Sequence, residues 1–205
     1  MPEIKNVVFD FGQVMICFNP DYIVSRRVKD AEDKKLLSEV IFRNPLWKKL
    51  DDGTMSSEEF LAEVRTHLPD RLHEIAEKVY YSWIYNIPEI EGMRELAVSL
   101  REEYGARLFL LSNISKYFID HADEIDVISI FEKCIFSAEI GLVKPNMEIY
   151  EYLCNTCNIL PDETIFVDDN VANIEAAKNF GIHGYLFDGN VDTLKKYFEE
   201  IFQTK

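Results

Sequence analysis

Three short polar groups and one lysine follow apolar runs in this sequence, and their residue types could act together on a phosphate ester. The first group follows Val7-Val8-Phe9, where Asp10 closes a run typical of a buried strand. Asp10 is a candidate for chemistry, and Gly12 leaves the backbone free to approach a ligand. Amide N–H groups in such a turn can bind an anion. The same pattern also fits an aspartate that merely ends a strand before a turn.

The remaining polar residues occur later in the chain, again where predicted strands end. They are Ser112, Asn113, Lys144, Asp168 and Asp169. Singly, each has an ordinary explanation, because strands often end in polar residues and surface lysines are common. Together they supply carboxylates, a hydroxyl, amide groups and one cation. This set suits a phosphate monoester with Mg²⁺, since Mg²⁺ prefers hard oxygen ligands and the cation and amides can neutralise phosphate oxygens.

The elements that must position these residues alternate from Glu91 onward. The predicted strands are Arg107–Leu111, Cys134–Phe136, Thr164–Val167 and His183–Phe187. The predicted helices are Met93–Leu100, Ile149–Cys157, Asn173–Asn179 and Asp192–Phe202. Repeated strand and helix units without hairpin turns predict an α/β fold, a parallel sheet with helices on both faces. Ligands bind such sheets beyond the carboxyl ends of the strands, which is where the polar groups fall.

Between Asn19 and about Ile90 the sequence shows no convincing strand, and apolar residues recur at helical spacing. Asn19 followed by Pro20 predicts one helix start, and Ser56 or Ser57 followed by acidic residues predicts another. The segment is therefore predicted to form a small helical bundle.

Composition limits the classes of function. The chain has 205 residues, 47% of them hydrophobic, and a formal net charge of −15. This length can bury a full core, and the charge opposes binding to nucleic acid or anionic lipid. The sequence starts without a charged and apolar leader and contains no apolar run near ~18 residues. We expect a cytoplasmic protein, a monomer or weak dimer, whose partner is a small molecule rather than a nucleic acid or a membrane.

The four cysteines are predicted to be reduced, because nothing in the sequence indicates secretion. They are Cys17, Cys134, Cys154 and Cys157. The last two have the spacing of a redox or metal-binding pair. However, they lie in a predicted helix without a second pair or a nearby histidine, so a structural role is favoured.

Four motifs in order resemble those of the haloacid dehalogenase-like hydrolase superfamily. They read Phe9-Asp10-Phe11-Gly12-Gln13-Val14, Leu110-Leu111-Ser112-Asn113, Val143-Lys144-Pro145 and Phe166-Val167-Asp168-Asp169-Asn170. The resemblance implies a doubly wound, Rossmann-like core with a helical cap inserted after the first strand. The core would comprise residues 1–14 and 91–205, and the cap residues 15–90. The sequence is most similar to the sugar-phosphate phosphatases of this superfamily.

The resemblance also implies a mechanism. Asp10 corresponds to the family's nucleophile, which forms an aspartyl-phosphate that water then hydrolyses. Lys144 corresponds to the lysine that pairs with this aspartate and with the phosphate, keeping the aspartate ionised. The implied Mg²⁺ ligands are Asp10, the carbonyl of Gly12 and Asp169. Asp168 would either bind the metal as well or position Asp169 without contacting the metal.

The implied phosphate-binding residues are Phe11 and Gly12, through the amides of the turn, together with Ser112, Asn113 and Lys144. The resemblance implies that the cap closes over the site, excludes water and contacts the leaving group.

Gly12 departs from the family pattern. Most phosphatases of this superfamily carry a second aspartate there, which protonates the departing alkoxide and then activates water. A general acid of this kind contributes roughly 10²–10⁴-fold. The role could pass to Gln13, to a carboxylate of the cap loop Asp51-Asp52-Gly53, or to the substrate, or the enzyme could be slow with poor leaving groups.

Two rival functions remain open. A metal-free dehalogenase would use the same aspartate to attack a carbon that bears a halogen. Asp168-Asp169 argues against it, because a metal-free site for an organic carboxylate gains nothing from two adjacent acids. A non-catalytic binding protein on the same fold is the second rival, and the glycine at position 12 favours it.

Overall fold

The computed structural model of the protein describes residues 3–203, and a parallel sheet of five strands lies at its centre. The strands are β1 (Asn6–Phe9), β2 (Arg107–Ser112), β3 (Lys133–Phe136), β4 (Thr164–Asp168) and β5 (His183–Leu186). Their order across the sheet is β3-β2-β1-β4-β5, and every neighbouring pair is parallel. The predicted α/β fold with a doubly wound parallel sheet is therefore confirmed.

The segment between β1 and residue 86 is helical, as its apolar spacing predicts. Its helices are α1 (Pro20–Ser25), α2 (Ala31–Leu37), α3 (Trp47–Asp51), α4 (Ser57–Thr66) and α5 (His73–Ser82), with a π-helical segment at Ser38–Phe42. The predicted helix starts are present. The side chain of Asn19 accepts a hydrogen bond from the amide of Tyr22 at 3.1 Å, and Ser56 and Glu59 form a capping box at the start of α4.

Six further helices follow. They are α6 (Met93–Tyr104), α7 (Lys116–Ile119), α8 (Ser137–Ile140), α9 (Met147–Cys157), α10 (Val171–Phe180) and α11 (Val191–Gln203). Short 3₁₀ turns lie at Asp70–Leu72, Trp83–Tyr85, Ala122–Glu124, Asp126–Ile130 and Pro161–Glu163.

Side chains of the strands alternate between the two faces of the sheet. Val7 and Phe9 belong to one buried cluster, together with residues of α6, α11 and the helices α1–α5. Val8 belongs to a second buried cluster, together with residues of α9 and α10. Both faces are therefore covered, which is why the strands read as continuous apolar runs rather than as alternating ones.

The strands β2 and β4 each end one residue later than predicted, and β5 ends one residue earlier. Ser112 pairs with Phe136 at the end of β2, and Asp168 pairs with Leu186 at the end of β4. The last strand ends at Leu186, although the amide of Phe187 still donates to the Asp168 carbonyl at 2.9 Å. The ladder continues through polar residues because their backbone groups pair as well as those of apolar residues do.

The two chain segments that lead into and out of the helical insert run side by side. The amide of Cys17 donates to the Pro88 carbonyl at 2.8 Å, and the amide of Ile90 donates to the Met15 carbonyl at 3.0 Å. These bonds lie close to the boundaries expected for the cap, residues 15–90, which stay a prediction.

The four cysteines are free thiols. Cys154 and Cys157 are buried on α9, and burial raises the pKa of Cys154 to about 11. A buried thiol of high pKa is a poor nucleophile, in agreement with the structural role expected for this pair. Among the helices of residues 3–203, none is long and apolar enough to cross a lipid bilayer.

Candidate active site

Lys144 lies at the centre of a buried cluster of charges at the carboxyl edge of the sheet. Its ammonium group donates to Asp168 Oδ2 at 2.7 Å and to the Leu111 carbonyl at 2.9 Å, and it lies 2.7 Å from Asp10 Oδ1. Because an ammonium has three protons, these three acceptors use its full donor capacity. The predicted contact between Lys144 and a phosphate oxygen therefore requires the exchange of one of these partners.

Asp168 is fully buried at the end of β4 and is held by several donors. Its Oδ1 accepts from the amide of Asn170 at 2.7 Å, and Nδ2 of Asn173 lies 3.1 Å and 3.0 Å from its two oxygens. Together with Lys144, these donors satisfy both carboxylate oxygens. The arrangement favours a positioning role for Asp168 over direct metal ligation.

Asn113 fixes the main chain at Lys144. Its Oδ1 accepts from the Lys144 amide at 2.9 Å, and its Nδ2 donates to the Lys144 carbonyl at 2.9 Å. Both polar atoms of this side-chain amide are bonded, so the side chain of Asn113 positions the backbone of Lys144. If Asn113 also binds phosphate, as expected, it does so through its main chain. Ser112 is 2% exposed at the end of β2, and its contact with phosphate stays a prediction.

Burial and the neighbouring lysine have opposite effects on the pKa of Asp10. Burial raises the pKa of Asp10 to about 6, the charge of Lys144 opposes this rise, and the charge of Asp168 adds to it. Burial alone would lower the pKa of Lys144, but the charges of Asp10 and Asp168 raise it above its usual value. The lysine therefore stays protonated, while Asp10 ionises less readily than its pairing with Lys144 alone would predict.

Three carboxylates meet beside this lysine. Asp10, Asp168 and Asp169 each offer one oxygen, and these oxygens lie within 4.8 Å of one another. Asp169 is exposed, and burial together with the charge of Asp168 raises its pKa. Hard oxygen donors this close fit Mg²⁺, and a divalent cation would offset their mutual repulsion. Both oxygens of Asp168 already have protein partners, whereas Lys144 contacts only Oδ1 of Asp10 and Asp169 is exposed.

The turn after Asp10 presents its main chain to a cavity. The Phe11 ring packs on Phe118 with ring centroids 4.9 Å apart, so only the backbone of Phe11 is available to a ligand. Gln13 has a positive φ of 58°, and its side-chain oxygen accepts from the amide of Phe18 at 2.9 Å. The side chain of Gln13 is thus tied into the turn, and Gly12 leaves open space beside it.

The cavity has a volume of about 220 Å³ and lies between the turn, the end of β2 and the helical insert. Its lining comprises Phe11, Gly12, Gln13, Ile16, Phe18, Trp47, Asp51, Trp83, Ser112, Asn113 and Ile114. Three aromatic side chains of the insert form one wall: the ring of Phe18 lies 6.0 Å from Trp47 and 5.5 Å from Trp83. The indole Nε1 of Trp83 is buried and has no hydrogen-bond partner among residues 3–203.

Asp51, the last residue of α3, brings a carboxyl group of the insert into this cavity. Ser137 Oγ donates to the Asp51 carbonyl and accepts from the Ile114 amide at 2.9 Å, which joins the insert to the core. Burial and the charges of Asp52 and Asp10 raise the pKa of Asp51 to about 8. Asp51 therefore holds a proton near neutral pH.

All eight residues predicted for the site converge on this region. They are Asp10, Phe11, Gly12, Ser112, Asn113, Lys144, Asp168 and Asp169. The sequence patterns predict no role for Asn173, which bonds to Asp168 five residues before it, or for Ser137, whose partner Asp51 is far away in the chain. They also predict no site role for Trp83, which is buried and part of the cavity wall.

Comparison with known proteins identifies the family. A family model for haloacid dehalogenase-like hydrolases matches residues 4–181, which is most of the chain. The chain belongs to this family of hydrolases. The resemblance of its four motifs is thereby confirmed.

Relatives in this family include phosphatases. D-ribitol-5-phosphate phosphatase from Bacteroides thetaiotaomicron is 26% identical over 199 residues, which cover 92% of this chain and 94% of the relative. A solved structure of a HAD-like hydrolase from Porphyromonas gingivalis aligns with a TM-score of 0.69 and 27% identity, covering 95% of this chain and 98% of that one. A HAD family enzyme from B. thetaiotaomicron, solved with magnesium and inorganic phosphate, aligns with a TM-score of 0.66 and 23% identity, covering 91% and 96%.

Proposed function

We propose that this hydrolase is a Mg²⁺-dependent phosphatase that cleaves a small sugar or polyol phosphate through an aspartyl-phosphate on Asp10. The observation that carries the proposal is the cluster of Asp10, Asp168 and Asp169 around the buried Lys144. The activities of related phosphatases support it.

The nucleophile is Asp10. One carboxylate oxygen is held by Lys144 at 2.7 Å, which leaves the other to attack phosphorus. The attack forms a P–O bond to Asp10 and breaks the ester bond to the leaving group, and water then cleaves the aspartyl-phosphate. This route divides one difficult displacement into two easier ones.

Phosphate is bound by backbone amides and short polar side chains. Phe11, Gly12 and Ser112 line the cavity, and we assign the amides of this turn and the Ser112 hydroxyl as donors to the phosphate oxygens. Asn113 and Asp168 hold Lys144 in place, so the positive charge stays fixed beside the reacting carboxylate.

A bound Mg²⁺ would be held by Asp10, Asp169 and the Gly12 carbonyl, and it would neutralise charge on the phosphate. Within residues 3–203 the Gly12 carbonyl accepts no backbone hydrogen bond, since the bonds from Met15 and Ile16 go to the Phe11 carbonyl at 2.9 Å and 3.1 Å. The role assigned to Asp169 rests on its accessibility next to Asp10.

Residues 15–90 act as the cap in this proposal. They contribute Phe18, Trp47, Asp51 and Trp83 to the cavity, so they contact the leaving group and exclude water. A volume of about 220 Å³ suits a small molecule. The aromatic rings of Phe18, Trp47 and Trp83 contact the C–H face of the leaving group in this proposal.

The proposal is tested by measuring phosphate release from a panel of esters with Mg²⁺ and with a chelator. The panel contains p-nitrophenyl phosphate, glycerol 3-phosphate, D-ribitol 5-phosphate and D-glucose 6-phosphate, with 2-chloropropionate as a dehalogenase substrate. We expect phosphate release that depends on Mg²⁺. Halide release without metal would instead establish the dehalogenase, and no turnover of any compound would favour the binding protein.

A further inference from the structure

The cavity contains a single carboxyl group among its described lining residues, that of Asp51. The turn after the nucleophile has none, because position 12 is a glycine and the side chain of Gln13 is an amide bonded to the backbone of Phe18. The cavity is thus bounded on one side by the nucleophile's turn and on the other by Asp51.

Asp51 is also held at a fixed position. Ser137 Oγ bonds both to the Asp51 carbonyl and to the Ile114 amide, so the end of α3 is attached to the same loop that lines the cavity. This contact uses the main chain of Asp51 and leaves its carboxyl group free to act on a ligand. Asp52 differs, because its Oδ1 accepts from the Thr54 amide at 2.9 Å and from the Thr54 hydroxyl.

We propose that Asp51 is the general acid and base of the reaction, replacing from the cap the carboxyl group that position 12 lacks. The inference rests on the proposed phosphatase function.

As Asp10 attacks phosphorus and the ester P–O bond breaks, the Asp51 carboxyl proton passes to the departing alkoxide. In the second step the Asp51 carboxylate takes a proton from water, whose oxygen bonds to phosphorus as the P–O bond to Asp10 breaks. The alcohol and inorganic phosphate leave, and both aspartates return to their starting states.

The electrostatic environment agrees with this role. Burial is the main cause that raises the pKa of Asp51 to about 8, the charges of Asp52 and Asp10 add to it, and the charge of Lys144 opposes it. A general acid works best when its pKa lies near the operating pH. Asp51 meets that requirement, whereas an ordinary exposed aspartate would be ionised.

The test compares Asp51→Asn with Asp52→Asn on two kinds of ester. The substrates are p-nitrophenyl phosphate, whose leaving group needs little protonation, and the best alkyl phosphate of the panel above. We expect Asp51→Asn to lower kcat/KM for the alkyl phosphate by roughly 10²–10⁴-fold and to change the aryl value far less. Asp52→Asn removes a charge from the adjacent position but keeps the Asp51 carboxyl, so it should change both values only a few-fold and shift the pH range of alkyl activity downward, because the charge of Asp52 helps to raise the pKa of Asp51.

A second variant tests the same idea by rescue. A Cβ at Gly12 meets no atom within 4 Å, so Gly12→Asp has room for a carboxyl group. Added to Asp51→Asn, it should restore a measurable part of the alkyl activity. This comparison also guards against a folding defect, because a misfolded Asp51→Asn protein would not be rescued by a change in another element.

The outcomes separate this inference from the proposed function. Suppose that wild type releases phosphate from the alkyl ester. If Asp51→Asn then lowers kcat/KM equally for the two esters, or for neither, the assignment of Asp51 is wrong and the phosphatase stands. A wild type that hydrolyses only the aryl ester would also contradict it, since no efficient acid is then present. If wild type hydrolyses no ester with Mg²⁺, the phosphatase itself is wrong.

Discussion

Lys144 shows how one buried side chain can hold an active site together. The side chain of Lys144 is 1% exposed, and its ammonium lies between Asp10 and Asp168, each 2.7 Å away. Two carboxylates this close would repel each other without the lysine, and the lysine could not stay charged without them. The three residues therefore form one unit: removing Lys144 leaves two carboxylates without a cation, whereas removing one aspartate leaves Lys144 paired with the other.

Asp168 and Asp169 should respond differently to truncation. Asp168→Ala removes an acceptor of Lys144 and of Asn173 but leaves Lys144 paired with Asp10, so we expect it to lower the free energy of unfolding by about 1–3 kcal/mol. Asp169→Ala removes an exposed side chain, so its effect on unfolding should be small, while the Mg²⁺ concentration needed for activity should rise strongly. Urea unfolding and Mg²⁺ titrations of activity measure the two effects. Equal shifts in Mg²⁺ dependence, in proteins of equal stability, would show that both ligate directly.

Asp10→Asn tests the nucleophile. The amide keeps the shape of the side chain but cannot form the aspartyl-phosphate, so turnover should be abolished while the circular dichroism spectrum is unchanged. Asn can still accept a hydrogen bond from Lys144, which limits the structural effect. More than a few per cent of wild-type activity in a folded variant would contradict the covalent mechanism.

At the scale of elements, the loop after α3 determines how the insert meets the core. Gly53 has a φ of +74°, and a Cβ there would lie 2.7 Å from the Ala138 carbonyl oxygen at the start of α8. The loop can approach α8 this closely only because position 53 has no side chain. The same loop follows directly after Asp51, so its approach places the cavity's carboxyl group.

Gly53→Ala should therefore impair both stability and turnover. The matched control is Gly105→Ala, since Gly105 has a similar φ of +70° but its added Cβ meets nothing within 4 Å. Each substitution should cost roughly 1–2 kcal/mol for the left-handed backbone, and Gly53→Ala should cost more because it also displaces the loop. Only Gly53→Ala should lower kcat, measured with the alkyl phosphate. A normal kcat in Gly53→Ala would show that the loop adapts without moving Asp51.

The order of strands and helices was largely predictable from the sequence, whereas contacts between distant elements were not. The apolar runs that end at Asp10 and Asp168 predicted both the strands and the shared edge of the sheet, because parallel strands buried on both faces are continuously apolar. The pairing of Asn113 with Lys144 and of Ser137 with Asp51 depends on loop conformations far apart in the chain. Periodicity carries no information about such contacts, and the aromatic wall was missed for the same reason.

At the scale of the whole molecule, the chain has a formal net charge of −15, and three of its aspartates lie close together at one edge of the sheet. The folded state raises the pKa of Asp10 from 3.8 to about 6, so it favours the protonated carboxyl more than the unfolded chain does. The stabilisation linked to this group is present below pH 4 and is lost as the pH rises through about 6. Without metal, Asp10 therefore makes the fold less stable toward neutral pH.

Mg²⁺ should reverse this loss, and more strongly at high pH. A ligand that binds only the folded state at 100 times its Kd adds about 2.7 kcal/mol to the unfolding free energy. At pH 5 the metal must displace the proton of Asp10, which should weaken binding about tenfold relative to pH 8 for a pKa near 6. Thermal unfolding at both pH values with increasing Mg²⁺ measures the effect, with Ca²⁺-free buffers and Asp169→Asn as the control.

We expect the rise in Tm to be larger at pH 8 and to require a higher Mg²⁺ concentration in Asp169→Asn. An equal rise at both pH values in the wild type and the variant would show that the cation binds elsewhere on the acidic surface.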